Sequence, residues 1–168
     1  MEALDELRAA LPGDVVVTDP AAMEKYRHDW SRDPSAGTPL AVVRVDDAGQ
    51  VQTAVRWAAE HRVPVVPRGA GSGLSGGSSA VDGGIVLSLE RMAAIEIDTS
   101  CQVAVVEPGA FNKDVKAAAA AEGLWYPPDP SSYEICSIGG NVATNAGGLC
   151  CVKYGVTTDY VLGLDVVL

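Results

Sequence analysis

Residues 67–77 read Pro67-Arg68-Gly69-Ala70-Gly71-Ser72-Gly73-Leu74-Ser75-Gly76-Gly77, and what they can do depends on what stands on either side. Glycines this dense either fill a flexible surface loop or let the chain turn successive N–H groups inward as an anion-binding nest. Residues 63–66 before them are strand-like, which favours the nest, and Ser72 and Ser75 add hydroxyl donors. Gly71 to Gly76 also satisfies G-x-G-x-x-G, so a nicotinamide-binding Rossmann turn has to be weighed first. That turn requires a helix springing from the glycines, because the helix N-terminus holds the pyrophosphate. Here Gly76-Gly77-Ser78-Ser79 and Asp82-Gly83-Gly84 lead straight into the apolar residues 84–89 with no room for a helix. The loop is therefore expected to run from strand to strand.

Upstream, residues 40–45 form a short apolar run suited to a buried strand. Asp47 with Gln50 three residues on is a capping-box pattern for a helix reaching about His61, whose Val51, Ala54, Val55 and Ala58 share one face. Strand, helix and strand with short connections predict a parallel pair of residues 40–45 and 63–66. Residues 3–11 and 20–27 carry short helical patterns around strand-like Val15, Val16 and Val17, and residues 33–39 resemble a linker. The division expected is an N-terminal helical segment and linker, 1–38, and a core domain, 39–168.

Downstream, residues 94–97 and 103–106 alternate and are expected to form a hairpin across 98–102. An alanine-rich helix is predicted for 111–122, stopped by Gly123. A second set of special-backbone positions follows: Trp125-Tyr126-Pro127-Pro128-Asp129-Pro130-Ser131-Ser132, then residues 138–148 with paired glycines and Asn145, then Lys153-Tyr154-Gly155. Prolines restrict the first part to extended or turn geometry, and the glycines with Asn145 permit tight turns and close approach to a flat ligand. Residues 160–168, rich in Val and Leu, are expected to be a strand. Because no turn or polar tail follows them, the domain is expected to be incomplete at its C-terminus.

In that order, the two loop systems resemble the FAD-binding domain of the vanillyl-alcohol oxidase and p-cresol methylhydroxylase superfamily. The resemblance is nearest to the branch of glycolate oxidase flavoprotein subunits, D-lactate dehydrogenases and D-2-hydroxyglutarate dehydrogenases. It implies an α+β fold in which a small parallel α/β lobe precedes a mostly antiparallel α+β lobe. It implies non-covalent FAD, since Ser72 stands where some relatives attach the flavin to a histidine. Arg68, Gly69, Ala70, Gly71, Ser72 and Gly73, with Gly76 and Gly77, would wrap the pyrophosphate. Pro108 and Gly109 would lie near the cofactor, and Pro128, Asp129 and Ser131 near its flavin end. Gly139, Gly140, Asn141, Thr144 and Gly148 would line the remaining channel, with Tyr154 and Gly155 at its edge. Relatives often carry an acidic residue in place of Thr144 and an arginine in place of Thr158, so contacts made by those charges are not carried over. The activity implied is oxidation of a 2-hydroxy acid by hydride transfer to FAD, with an iron-sulfur subunit as electron acceptor in the glycolate oxidase type. No catalytic residue is named, since the histidines and arginines such enzymes place near the substrate have no counterpart here.

Bulk properties limit the alternatives. With 168 residues and a net charge of -10, the chain lacks the clustered Lys and Arg that would neutralise nucleic-acid phosphates. It has no apolar run of the roughly 20 residues a membrane span needs. The four cysteines, Cys101, Cys136, Cys150 and Cys151, show no metal-ligand spacing and suit a reducing, cytoplasmic setting. A vicinal disulfide between Cys150 and Cys151 is a minor alternative. Two rivals to the flavin reading are a nicotinamide-dependent Rossmann dehydrogenase and a truncated fragment that binds nothing.

Overall fold

A computed structural model describes residues 2–168. It divides into two compact units, one spanning the chain up to Arg91 with Val166–Leu168, the other Met92–Asp165.

The first unit is built on a four-stranded sheet: β1 (Val16–Val17), β2 (Ala41–Arg44), β3 (Val65–Arg68) and β4 (Ile85–Ser88), in the order β1-β2-β4-β3. β4 is parallel to both β2 and β3, and β1 adds an antiparallel edge. All four residues of β4 are buried, as a central parallel strand covered on both faces demands. The direct β2–β3 pairing expected from the sequence does not form, because β4 inserts between them. Pairing partners are set by contacts distant in sequence, which local pattern does not encode. β3 also begins two residues later than expected, and Pro67 lies in this edge strand, where its missing N–H costs least.

α1 (Glu2–Ala10) and α3 (Ala48–His61) pack together, and the Trp57 indole donates to the Ala3 carbonyl at 2.7 Å. Asp47 caps α3 through the Gln50 amide at 2.9 Å, while the Gln50 side chain accepts from the Asp46 amide rather than closing the box on Asp47. Segment 14–31 contributes directly to this unit. Met23 of α2 (Pro20–Met23) and Tyr26 of the following 3₁₀ turn are buried against Val42, Ala80 and Val86.

The second unit carries a hairpin of β5 (Ile95–Asp98) and β6 (Val103–Val106), closed by the Asp98 carboxylate accepting from the Ser100 and Cys101 amides. α4 (Asn112–Ala121) packs on the hairpin, and Gly123 adopts a left-handed φ of 71° after it. α5 (Ile138–Thr144) and α6 (Cys151–Tyr154) follow, then a 3₁₀ turn over Thr157–Tyr160. Two expectations are corrected here. The Gly139-Gly140 pair opens a helix instead of a tight turn, although Asn145 does take the left-handed cap (φ 48°). Residues 161–168 pair with no strand and leave Leu162 and Leu164 largely exposed, because an apolar run becomes a strand only where an open sheet edge receives it. Among the described residues, no helix is long and apolar enough to cross a membrane, and no group of three His, Cys, Asp or Glu side chains could hold a metal.

Candidate functional site

In the first unit, the glycine-rich loop leaves β3 at Arg68 and reaches β4 at Ile85 without any helix. This removes the Rossmann geometry. Two of its glycines are fixed by the protein itself. At Gly71, φ is 69° and a Cβ would sit 2.1 Å from the Arg68 guanidinium, while Gly76 has a φ of 76°. Two others are not. Gly73 and Gly77 have ordinary φ; a Cβ at Gly77 meets nothing within 4 Å, and at Gly73 only Asp29 Oδ2 at 3.7 Å. Neither backbone strain nor packing accounts for glycine there, so these positions keep bare main chain open to approach from outside.

Arg68 is buried (7 % exposed), its side chain turned into the protein. Nη1 donates to the Ser78 carbonyl at 3.1 Å and Nη2 to the Lys25 carbonyl at 3.4 Å, with the guanidinium 6.0 Å from the Tyr26 ring centroid. Burial lowers its pKa from the usual arginine value, although the nearby Asp29 charge acts the other way. Tyr26 in turn donates to Glu90 at 2.6 Å, and Arg44 Nε to the same oxygen at 2.9 Å. Burial raises the Glu90 carboxyl, but bonds from Tyr26 and Arg44 outweigh it and hold the pKa below the ordinary value.

Asp29, 3 % exposed, accepts from the Ser31 amide at 2.9 Å and the Ser31 hydroxyl at 2.5 Å, and its own amide is received by Ser79 Oγ at 3.3 Å. Oδ2 is buried and closes no direct bond, so the Gly76 amide and Ser79 act on the carboxylate at longer range. Burial pushes this carboxyl up, but Ser31, Ser79 and Gly76 together hold it below its ordinary pKa. An open recess of about 480 Å³ lies beside the loop, walled by Ala70, Gly71, Arg68, His28 and Trp30. Ser72 is half-buried on the loop, and Leu74 stands out at its tip.

In the second unit, most residues singled out from the sequence meet one another. Gly139 N donates to the Pro108 carbonyl at 2.8 Å, and a Cβ on Gly139 would come within 2.8 Å of Pro108. Gly109 N donates to Met92 O. Gly148 is pressed on Asp129, whose Oδ1 accepts from the Cys150 amide at 3.2 Å. The side chain of Asn141 is buried: its Oδ1 accepts from Asn112 Nδ2 at 3.0 Å, and its Nδ2 lies 3.1 Å from Cys136 Sγ. Asn112 Nδ2 also reaches the Pro128 carbonyl at 3.3 Å. Thr144 bonds back to the Gly140 carbonyl within α5, and Thr158 donates to Asn145 Oδ1. Ser131 is exposed, Tyr154 stacks edge-on against Trp125 at 4.7 Å, and Gly155 has a φ of 88° beside Asp159. Asp129 raises the pKa of the Cys150 thiol.

Asp29, Glu90 and Asn112 were not foreseen. A lone Asp or Asn in a polar segment carries no sequence signal of burial, and only spacing relative to the loops could have drawn attention to them.

The chain thus joins a strand-to-strand glycine loop in a parallel α/β unit to a hairpin and helices, with no Rossmann helix. Residues 39–168 match the family described as FAD binding domain, and the chain belongs to that family, whose cofactor is FAD. It is 47 % identical over 131 residues to the glycolate oxidase subunit GlcD of Bacillus subtilis (strain 168), covering 77 % of this chain and 28 % of that protein. It is 42 % identical over 162 residues to a D-2-hydroxyglutarate dehydrogenase of Xanthomonas citri pv. viticola, covering 96 % and 34 %. Among solved structures, an alkyldihydroxyacetonephosphate synthase superposes with a TM-score of 0.89 at 23 % identity over 99 % of this chain and 34 % of that one, a likeness of fold. The chain thus spans about a third of the length of the curated relatives it matches.

Proposed function

We propose that this chain is the FAD-binding part of a flavin-dependent oxidoreductase that oxidises a 2-hydroxy acid of the glycolate or D-lactate type. The observation that carries the reading is the bare main chain at Gly73 and Gly77, where glycine serves neither the backbone nor the packing. Main-chain amides are the suitable donors here: they bind a pyrophosphate dianion without placing further formal charge in an acidic protein. The residues therefore fit the cofactor.

In this reading the amides of residues 69–77, with the Ser72 hydroxyl, hold the pyrophosphate. Gly76 and Gly77 let the chain pass close to it, and Arg68 shapes the loop from inside. Pro108, Gly109, Pro128, Asp129, Ser131 and Tyr154 are proposed as further cofactor contacts. Gly139, Gly140, Asn141, Thr144, Gly148 and Gly155 bring the segments that carry them into place, since most of their contacts are with the chain itself. Bound FAD supplies the acceptor for the two electrons that leave the α-carbon of the substrate as hydride. The chain contributes binding and orientation; no side chain here is assigned to proton transfer. The relatives' names, a glycolate oxidase subunit and D-2-hydroxyglutarate and D-lactate dehydrogenases, support the substrate class. A cytoplasmic setting is proposed from the four unpaired thiols, and an iron-sulfur electron acceptor from the likeness to the glycolate oxidase subunit.

An absorbance spectrum of the purified protein tests the reading. Flavin bands in the blue are expected; a colourless preparation that binds NAD overturns it. Copurification tests the partner, and a fully active complete protein without any iron-sulfur subunit counts against it.

A further inference from the structure

We propose that Asp29 and Arg68 are positioning residues for phosphate recognition: two buried side chains of opposite charge that set the glycine loop from inside before any ligand arrives. The inference rests on the FAD reading above and deepens it. Arg68 is locked to the loop at Ser78 and lies so close to Gly71 that no side chain fits between them. Asp29 comes from a segment some 40 residues earlier and reaches the same loop at other points. Its backbone meets Ser79, its carboxylate feels the Gly76 amide, and its Oδ2 lies against Gly73. Between them they touch the loop at Gly71, Gly73, Ser78 and Ser79.

The charges matter as well as the shape. Arg68 donates to the Ser78 and Lys25 carbonyls, and among the described residues the opposing charge that acts on it most is that of Asp29. Asp29 accepts from the Ser31 amide and the Ser31 hydroxyl, both neutral donors. The Asp29 charge thus offsets part of the desolvation of Arg68, and removing it leaves the buried guanidinium less compensated. A loop fixed in this way loses little conformational entropy on binding phosphate, which is how preorganisation raises affinity.

The test is a titration of the full-length protein with FAD and with riboflavin, which carries the same ring system but no phosphates. Variants are Asp29→Asn, Arg68→Met and the double variant, with Arg68→Lys in reserve if any of these fails to fold. Each single change is expected to weaken FAD binding by about tenfold, the scale of one lost charged hydrogen bond, with riboflavin affinity unchanged. The double variant should lose less than the product of the two singles, as coupled sites do. The ³¹P resonances of bound FAD should shift in Asp29→Asn, a readout that general destabilisation leaves in place. Asp29→Asn with FAD affinity equal to wild type, or FAD and riboflavin affinities falling in step, overturns the proposal while leaving the flavin reading intact. A wild-type protein that takes up no FAD removes both.

Discussion

Gly73 and Gly77 of the first loop look in sequence like Gly139 and Gly148 of the second unit, yet the structure gives the two pairs different surroundings. In the first loop, a Cβ on Gly77 would meet nothing within 4 Å and one on Gly73 only Asp29 Oδ2 at an ordinary 3.7 Å; in the second unit, Gly139 and Gly148 are pressed against Pro108 and Asp129. Glycine in one region keeps room for something from outside, and in the other it lets the chain touch itself. The same residue type therefore marks a candidate ligand surface in one unit and an internal joint in the other. Substitution should separate the two roles, since binding should fail in the first case and folding in the second.

The largest effect is expected at the joint. A Cβ on Gly148 would lie 2.2 Å from the Asp129 carbonyl, at a φ of 154° that side chains avoid. Gly148→Ala should therefore cost about 3 kcal/mol or more in urea denaturation, combining overpacking with backbone strain. Wild-type stability in this variant would show that Asp129 yields easily. Next comes Gly73→Val, expected to lower FAD affinity by about a hundredfold, roughly 2.7 kcal/mol, while the apoprotein melts near the wild-type temperature. Unchanged flavin loading would take the loop out of the site. Asn112→Ala should cost about 2 kcal/mol in chemical denaturation, because it removes the amide donor to the Pro128 carbonyl and leaves the buried Asn141 Oδ1 with the weak Cys136 thiol donor.

The smallest effect concerns Glu90, the partly exposed acceptor for Tyr26 and Arg44. Its folded pKa is depressed, so its contribution is complete above the unfolded glutamate value, about 4.3, and is lost as pH falls through the lower folded value. Glu90→Gln should cost no more than about 1 kcal/mol at neutral pH after screening, and should flatten the acid limb of the stability curve. A variant whose acid limb matches that of wild type would assign the acid sensitivity to another group.

The sequence disclosed the first region better than the second. Residues 67–77 announced a loop between strands because a helix needs length and apolar spacing that residues 76–84 lack, and the Asp47 cap with the residues after it announced α3. The hairpin was equally plain from two alternating runs around Asp98. What escaped was long-range: that β4 lies between β2 and β3, that residues 14–31 underpin the first unit, and that Asp29 is buried. In the second region, Gly139-Gly140 suggested a turn, yet α5 begins there because the fold supplies the Pro108 surface on which a bare backbone can rest. Residues 160–168 suggested a strand from composition alone, which says nothing about whether a sheet edge is within reach.

The thiol of Cys136, 4 % exposed and tied to Asn141, gives the second unit an internal clock. A thiol reagent meets Cys101 at the surface at once, whereas it reaches Cys136 only when the surrounding packing opens. The slow phase of alkylation would then count those openings one by one, and would report whether a cofactor added to the protein makes them rarer.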